Sequence, residues 1–293
     1  MVRAITAICL MIAALGLAPR AGGATLSLTA SADATLYQSA TGGTADGGGE
    51  HLFAGITAQA SNRLRRTLVK FNLSAIPPGS VVQQASLTMY CNKSATPQVD
   101  LNLHRVLSDW TEGSTNDTGE EGDGATSVNG DVTWIHRTKP SPLWTTTGGD
   151  WSPTISATTT VYTEGFSYTW GTTPQMVADV QNWVNTPGQN FGWLVRSDDL
   201  AGGAASAKRF SSRTNLVFGN PPRLTICYVP PSQLDLNCDT VVDAADRIAF
   251  ATALVDPVRY AATYSGCDIT RADLNCDGLR DGRDVQTYVT LAP

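Results

Sequence analysis

VVQQASLTMYCNKSATPQVDLNLHRV, residues 81–106, reads as two β-strands around a polar turn. Val81–Cys91 is the longest strand candidate in the chain. Val99–Val106 alternates apolar and polar residues, with Leu101 and Leu103 on one face. That period of two is the signature of a half-buried strand. Outward from this pair the same pattern recurs at Thr25–Ala30, Ala34–Tyr37, Thr67–Phe71, Phe191–Val195 and Arg223–Tyr228. Clusters of Gly, Pro, Asn and Asp separate the runs. Many short strands with polar turns predict a mainly β domain built as a β-sandwich.

One helix interrupts the pattern. Pro174 suits a first helical turn after Thr172-Thr173, and Val177, Val180 and Trp183-Val184 follow at helical spacing before Pro187-Gly188. Thr111–Asp131 and Ala201–Ala207 lack periodicity and read as long loops. Pro230-Pro231 marks a boundary. Beyond it, from Gln233 to Pro293, ten Asp stand against five Arg and the strand pattern stops.

The N-terminus reads as a secretory signal over residues 1–24. Arg3 precedes the apolar run Ile5–Ala18, and Ala21-Gly22-Gly23-Ala24 offers small residues for cleavage. The run is short of the roughly 20 apolar residues of a membrane span, and an uncleaved anchor is the alternative. No later segment is apolar enough to span a bilayer, so the mature chain is expected outside the cytoplasm. The net charge of −6 gives nucleic-acid binding no support. Export permits disulfides. Cys91, Cys227, Cys238, Cys267 and Cys276 remain after the signal, and the expectation is a Cys91–Cys227 clamp, a Cys238–Cys267 bridge and a free Cys276.

SNRLRRTLVKFNLSAIPPGSVVQQASLTMY, residues 61–90, resembles the DNRLRE domain, whose name matches Asn62-Arg63-Leu64-Arg65; Ser61 and Arg66 replace its acidic ends. Ser108-Asp109-Trp110-Thr111-Glu112-Gly113, Val132-Thr133-Trp134, Leu143-Trp144-Thr145, Gly148-Gly149-Asp150, Trp183, Asn190-Phe191-Gly192 and Phe210-Ser211-Ser212-Arg213 match in order, extending the resemblance over residues 25–229. The resemblance implies a jelly-roll sandwich and, in some members, binding of acidic polysaccharides. Sugar rings stack on exposed aromatic faces. Trp110, Trp134 and Trp183 sit in apolar patterns and read as core. Trp144 and Trp151 sit among Pro, Thr, Gly and Ser and read as a platform, with Arg137 and Lys139 placed to meet carboxylates. His51, His104 and His136 stand in no metal-ligand spacing, and no nucleophile elbow is present. The reading is therefore non-catalytic. A structural or adhesive surface protein, or a polysaccharide-degrading enzyme, is the alternative.

The acidic tail contains a repeat. DLNCDTVVDAAD, residues 235–246, and DLNCDGLRDGRD, residues 273–284, share one spacing. Oxygen side chains fall at loop positions 1, 3, 5, 9 and 12: Asp235, Asn237, Asp239, Asp243 and Asp246 in the first copy, and Asp273, Asn275, Asp277, Asp281 and Asp284 in the second. Position 7, Val241 or Leu279, would add its backbone carbonyl. A twelve-residue loop wraps Ca²⁺ in this way. Position 6 needs a sharp turn, which Gly278 permits and the β-branched Thr240 resists, so the second loop should bind more tightly.

The tail, residues 233–293 after a 230–232 linker, resembles the type I dockerin family. The resemblance implies two loop–helix repeats and a cohesin-like protein partner docking at positions 10 and 11, here Ala244-Ala245 and Gly282-Arg283. Helices are expected over Ala244–Leu254 and Val285–Leu291. Ile248, Phe250, Leu254, Val285, Tyr288 and Val289 are the expected core.

Overall fold

The computed structural model describes residues 23–95, 98–198, 203–215 and 219–292. The predicted signal segment lies almost wholly outside them, and so does the start of Ala201–Ala207. The first strands are β1 (Ala24–Thr29), β2 (Ala32–Tyr37), β3 (Thr44–Ala45), β4 (His51–Ile56), β5 (Leu64–Lys70), β6 (Val81–Ser94), β7 (Val99–Val106) and β8 (Ala125–Thr126). Then come β9 (Trp151–Val161), β10 (Phe166–Trp170), β11 (Trp193–Arg196), β12 (Lys208–Ser211) and β13 (Arg223–Val229). Eleven of them form one curled antiparallel sheet in the order β1-β13-β6-β12-β4-β5-β11-β7-β9, with β10 added on β6 and β2 on β5. The protein is mainly β and sandwich-like. β4 turns the corner, pairing β12 on one side and β5 on the other.

β6 shows how side-chain parity is set. Val82 points inward, but so do Ala85, Leu87, Met89 and Cys91. The register shifts against β13 between Cys227 and Tyr228, opposite Gln84 and Val82. An extra residue in one strand of a pair is a β-bulge, and it reverses which face later side chains take.

The inner core packs Trp170, Trp193, Phe71 and Phe210 with Met176, Val180 and Trp183. The last three come from α1 (Pro174–Asn185), whose N-cap Thr173 accepts from the Met176 N–H at 3.0 Å. A second core lies on the outer face of β2, β5, β7 and β11. There Leu36, Leu68 and Leu194 pack beneath Trp110, Trp134 and Trp144 from the covering chain between β7 and β9. Strands covered on both faces carry near-continuous apolar runs, and every residue of β4 is buried.

The tail holds α2 (Ala244–Val255), α3 (Pro257–Thr263) and α4 (Gly282–Leu291). Phe250 and Tyr288 stack with centroids 4.2 Å apart, among Leu234, Leu236, Leu274 and Val229 of β13. Leu254 packs at the edge of this cluster. Three expected core residues are on the surface instead: Ile248 and Val289 are 67% and 68% exposed, and Val285 is also exposed. The reason is helix rotation. Asp246 and Asp284, fully buried at the third helical position, turn the Ala249–Phe250–Ala253 and Tyr288 faces inward. Residues 248, 285 and 289 then fall on other faces.

The Cys238–Cys267 bridge forms as expected. The Cys91–Cys227 clamp does not. Cys227 bonds Cys276, while Cys91 is a free, buried thiol facing the inner core. Cys227 follows the inward-facing Ile226, so it points to the other side of the sheet, toward the tail, and it pairs with Gln84, well away from Cys91 along β6.

Candidate functional site

The two tail loops repeat one hydrogen-bond network. The first aspartate accepts from the backbone N–H at position 6: Thr240 to Asp235 Oδ2 and Gly278 to Asp273 Oδ2, both 3.0 Å. Asn237 and Asn275 accept from position 5, both at 2.9 Å, and Asp239 and Asp277 accept from position 7, again 2.9 Å. Asp246 Oδ1 takes the Leu236 and Asn237 N–H groups at 2.7 and 3.1 Å; Asp284 Oδ1 takes Leu274 and Asn275 at the same distances. Their second oxygens accept from Asp243 and Asp281, the residues that cap α2 and α4.

Position 6 is left-handed in both loops, with φ 76° at Thr240 and 83° at Gly278. The threonine stores backbone strain of about 1–3 kcal/mol that the glycine avoids. Position 4 is left-handed too, with φ 58° at Cys238 and 65° at Cys276, and each of these cysteines ends in a disulfide.

Among the described residues no three His, Cys, Asp or Glu side chains converge as a ready-made metal site. The loop oxygens are instead oriented by backbone N–H groups. An oxygen holding one donor keeps a second lone pair. The donors at positions 1, 3 and 5 are all oxygens, two of the three are carboxylates, and position 7 adds a carbonyl. This chemistry fits a hard divalent cation of Ca²⁺ type.

On the sandwich the expected platform is not assembled. Trp144 is 5% exposed, donates its Nε1–H to the Thr133 carbonyl at 2.9 Å and packs in the outer core. Its polar neighbours suggested a loop, and the covering chain is one, but it folds back over the sheet. Lys139 is tied inward, its Nζ donating to the Ser127 carbonyl and hydroxyl at 2.8 and 2.7 Å. Arg137 is half-buried on the same segment. Trp151, half-buried at the start of β9, is the accessible member. It lines a cleft of about 450 Å³ with Leu107, Ser108, Asp150 and Pro153. Arg196 lies 4.9 Å over its ring and His104 packs at 4.4 Å.

The name motif is structural. Arg65 is 3% exposed and donates to Gln59 Oε1 and to the carbonyls of Asn62, Leu64 and Gly122, with its guanidinium 4.8 Å over Tyr37. Arg66 lies 4.7 Å over Trp134 and donates to the Gly148 carbonyl. Both arginines therefore hold the covering chain onto the sheet. So do buried acids that sequence reading missed. Asp46 accepts from the Asp117 N–H at 2.7 Å. Glu121 accepts from Glu50 and His51 at 3.0 and 2.7 Å, and Asp33 from Arg213 at 2.7 Å.

Burial pushes the Asp33 carboxyl up to about 7 and raises Asp46 and Glu121 as well. A raised native pKa means stability that is full below the unfolded value, near 4, and is lost as pH climbs through the native value. Burial lowers His51 to about 4 and also lowers His104 and His136, so these groups gain stability as pH rises toward 6.5 and oppose the acids below that value. The melting temperature should therefore fall as pH rises from about 6.5 to 8, where the histidines no longer titrate and Asp33 and Asp46 still do, each kcal/mol being worth roughly 2–4 °C in a domain of this size. Scanning calorimetry of wild type and Asp33→Asn checks it. The variant mimics the protonated acid and should flatten the curve; parallel curves would refute the assignment.

The model of carbohydrate-binding module family 96 matches residues 24–129. This stretch runs from β1 through β8, holds the name motif and its buried acids, and ends before Trp144 and Trp151. No curated protein matches the chain.

Proposed function

We propose that this is an exported, non-catalytic protein in which the sandwich binds polysaccharide and a calcium-loaded tail, residues 233–293, tethers it to a partner. The family match over residues 24–129 supports sugar binding. The observation that carries the calcium reading is the shared network of Asp235–Asp246 and Asp273–Asp284. Asp235, Asn237, Asp239, Val241, Asp243 and Asp246 would hold one ion; Asp273, Asn275, Asp277, Leu279, Asp281 and Asp284 would hold the other. The cation supplies positive charge that offsets the mutual repulsion of the loop carboxylates.

Two disulfides support export, and no helix among the described residues is long and apolar enough to cross a membrane. The tethering reading is supported by the exposed Ala244-Ala245 and Gly282-Arg283 at the starts of α2 and α4, with the exposed Ile248 and Val289 on the same helices. A cohesin-like domain is the kind of partner this implies. A uronate-rich polysaccharide is the substrate class that the DNRLRE resemblance favours.

Affinity electrophoresis through gels cast with acidic or neutral polysaccharides tests the sandwich. Retardation on an acidic gel is expected. Trp151→Ala should weaken it about tenfold, as for loss of one stacked aromatic anchor, without unfolding the chain. Free migration through every gel would sink the sugar reading.

A further inference from the structure

Two aromatic side chains stand in solvent on one turn. Tyr162 and Phe166 flank the connection between β9 and β10, and they are 55% and 60% exposed. Among the described residues they are the only exposed aromatics. Single exposed apolar residues are ordinary on a protein surface. Two large aromatics on one short turn are a different case, because each leaves in water an apolar area of the kind this fold otherwise buries.

The turn is fixed from within. Tyr168 of β10 reaches back to it, its hydroxyl accepting from the Thr163 and Tyr162 N–H groups at 2.9 and 3.2 Å and donating to the Thr163 carbonyl at 2.8 Å. The Gly165 N–H donates to the Cys91 carbonyl at 2.8 Å, and the Tyr162 carbonyl accepts from Lys208 Nζ at 3.0 Å. The backbone that presents both aromatics is therefore ordered in advance, and a ligand would not have to order a loop.

Charge narrows the ligand. Glu164 is the one charged residue on the turn, and it is exposed. The cations of the neighbouring β6 and β12 are engaged. Lys93 pairs with Glu120, Arg209 holds both Asn92 and Glu120, and Lys208 is buried. A carboxylate arriving here would meet Glu164 and cations already paired. Thr163 and Ser167, exposed beside the two aromatics, carry hydroxyls that donate and accept. Aromatic surface with hydroxyls around it and no open positive charge suits a pyranose ring with an apolar C–H face, hydroxyls at its rim and no carboxylate. We propose that the β9–β10 turn is a second glycan-contact site, stacking neutral pyranose units on Tyr162 and Phe166. The ligand class rests on the carbohydrate-binding reading above. The site is separate from the cleft at Trp151, with which it shares no residue.

Affinity electrophoresis of the full chain tests it, in gels cast with a neutral β-glucan, a neutral galactomannan or polymannuronate. At least one neutral gel should retard the wild type. Tyr162→Ala/Phe166→Ala should lower that affinity about tenfold, equivalent to ~1.4 kcal/mol, with the melting temperature unchanged. Tyr162→Ala alone lies outside any strand and should cost about threefold, so it carries the same test if the double variant melts lower. Tyr162→Phe/Phe166→Tyr keeps an aromatic at both positions and should bind within about twofold of wild type. Equal neutral-gel retardation of wild type and the alanine variants overturns the site, and so does an equal loss in the aromatic exchange. Free migration of the wild type through both neutral gels overturns it too, while retardation by polymannuronate then leaves the carbohydrate reading standing. Alanine variants that change only the oligomeric state, read by light scattering, assign the two residues to a contact between copies and overturn the site as well. If no gel retards the chain, both readings fall.

Discussion

Asp284→Ala is expected to abolish calcium binding at the second loop and to unfold the end of the chain. Asp284 is fully buried and accepts three backbone N–H groups, from Leu274, Asn275 and Asp281. Its loss strands three donors at about 1–3 kcal/mol each. A module of some sixty residues has only about 3–5 kcal/mol of its own to lose. Where binding free energy is also folding free energy, loss of the ion and loss of the fold coincide. Asp246→Ala removes the same three contacts from the first loop, but that loop already carries the strained Thr240, so it is expected to be the weaker calcium site to begin with. Calorimetric titration of the full chain should show two unequal sites, the tighter lost in Asp284→Ala. Hydrogen exchange should show α4 opening in chelator. A titration without heat, or α4 protection indifferent to chelator, would refute the calcium assignment.

Cys227→Ser/Cys276→Ser should have the second largest effect. The bridge joins positions 49 residues apart, and a cross-link of that kind contributes about 2–4 kcal/mol. It ends at position 4 of the second loop, so freeing Cys276 loosens the loop around its left-handed turn as well. The expected outcome is a lower melting temperature for the tail and weaker calcium binding at the second loop, with the first loop, held by Cys238–Cys267, nearly unchanged. Differential scanning calorimetry and the same titration read both. Unchanged calcium heats in the double variant would show that the bridge does not support the loop. A fragment beginning at Gln233 is the wrong object for either experiment, because Val229 and Cys227 complete the module from β13.

The parts of the fold visible in the sequence are those governed by one local rule. β7 alternates because Val99, Leu101 and Leu103 face the inner core while Asp100, Asn102 and His104 take hydrogen bonds on the other side, and Thr173-Pro174 announces α1 because a cap and a first-turn proline act within one turn. The missed strands break such rules. β4 is buried on both faces and has no alternation to detect. β9 is rich in threonine and largely solvent-facing. β12 buries Lys208, whose Nζ donates to Ser94 Oγ and the Tyr162 carbonyl. Trp144 reads as loop and is core because the covering chain packs against a sheet face that no local pattern reveals. The repeated loops were legible because their residues are contiguous, and the two copies share one hydrogen-bond network.

The Cys227–Cys276 bridge also sets a load path. Gln84 of β6 donates to the carbonyls of Asn275 and Cys276 beside it. Tension arriving at the far end of the molecule therefore enters the sandwich at Cys227, within a strand zipped between β1 and β6. The peptide after Val229 is bypassed. A protease that nicks residues 230–232 would separate nothing until a reductant was added, and the segment that joins the two parts in sequence would carry almost none of the force between them.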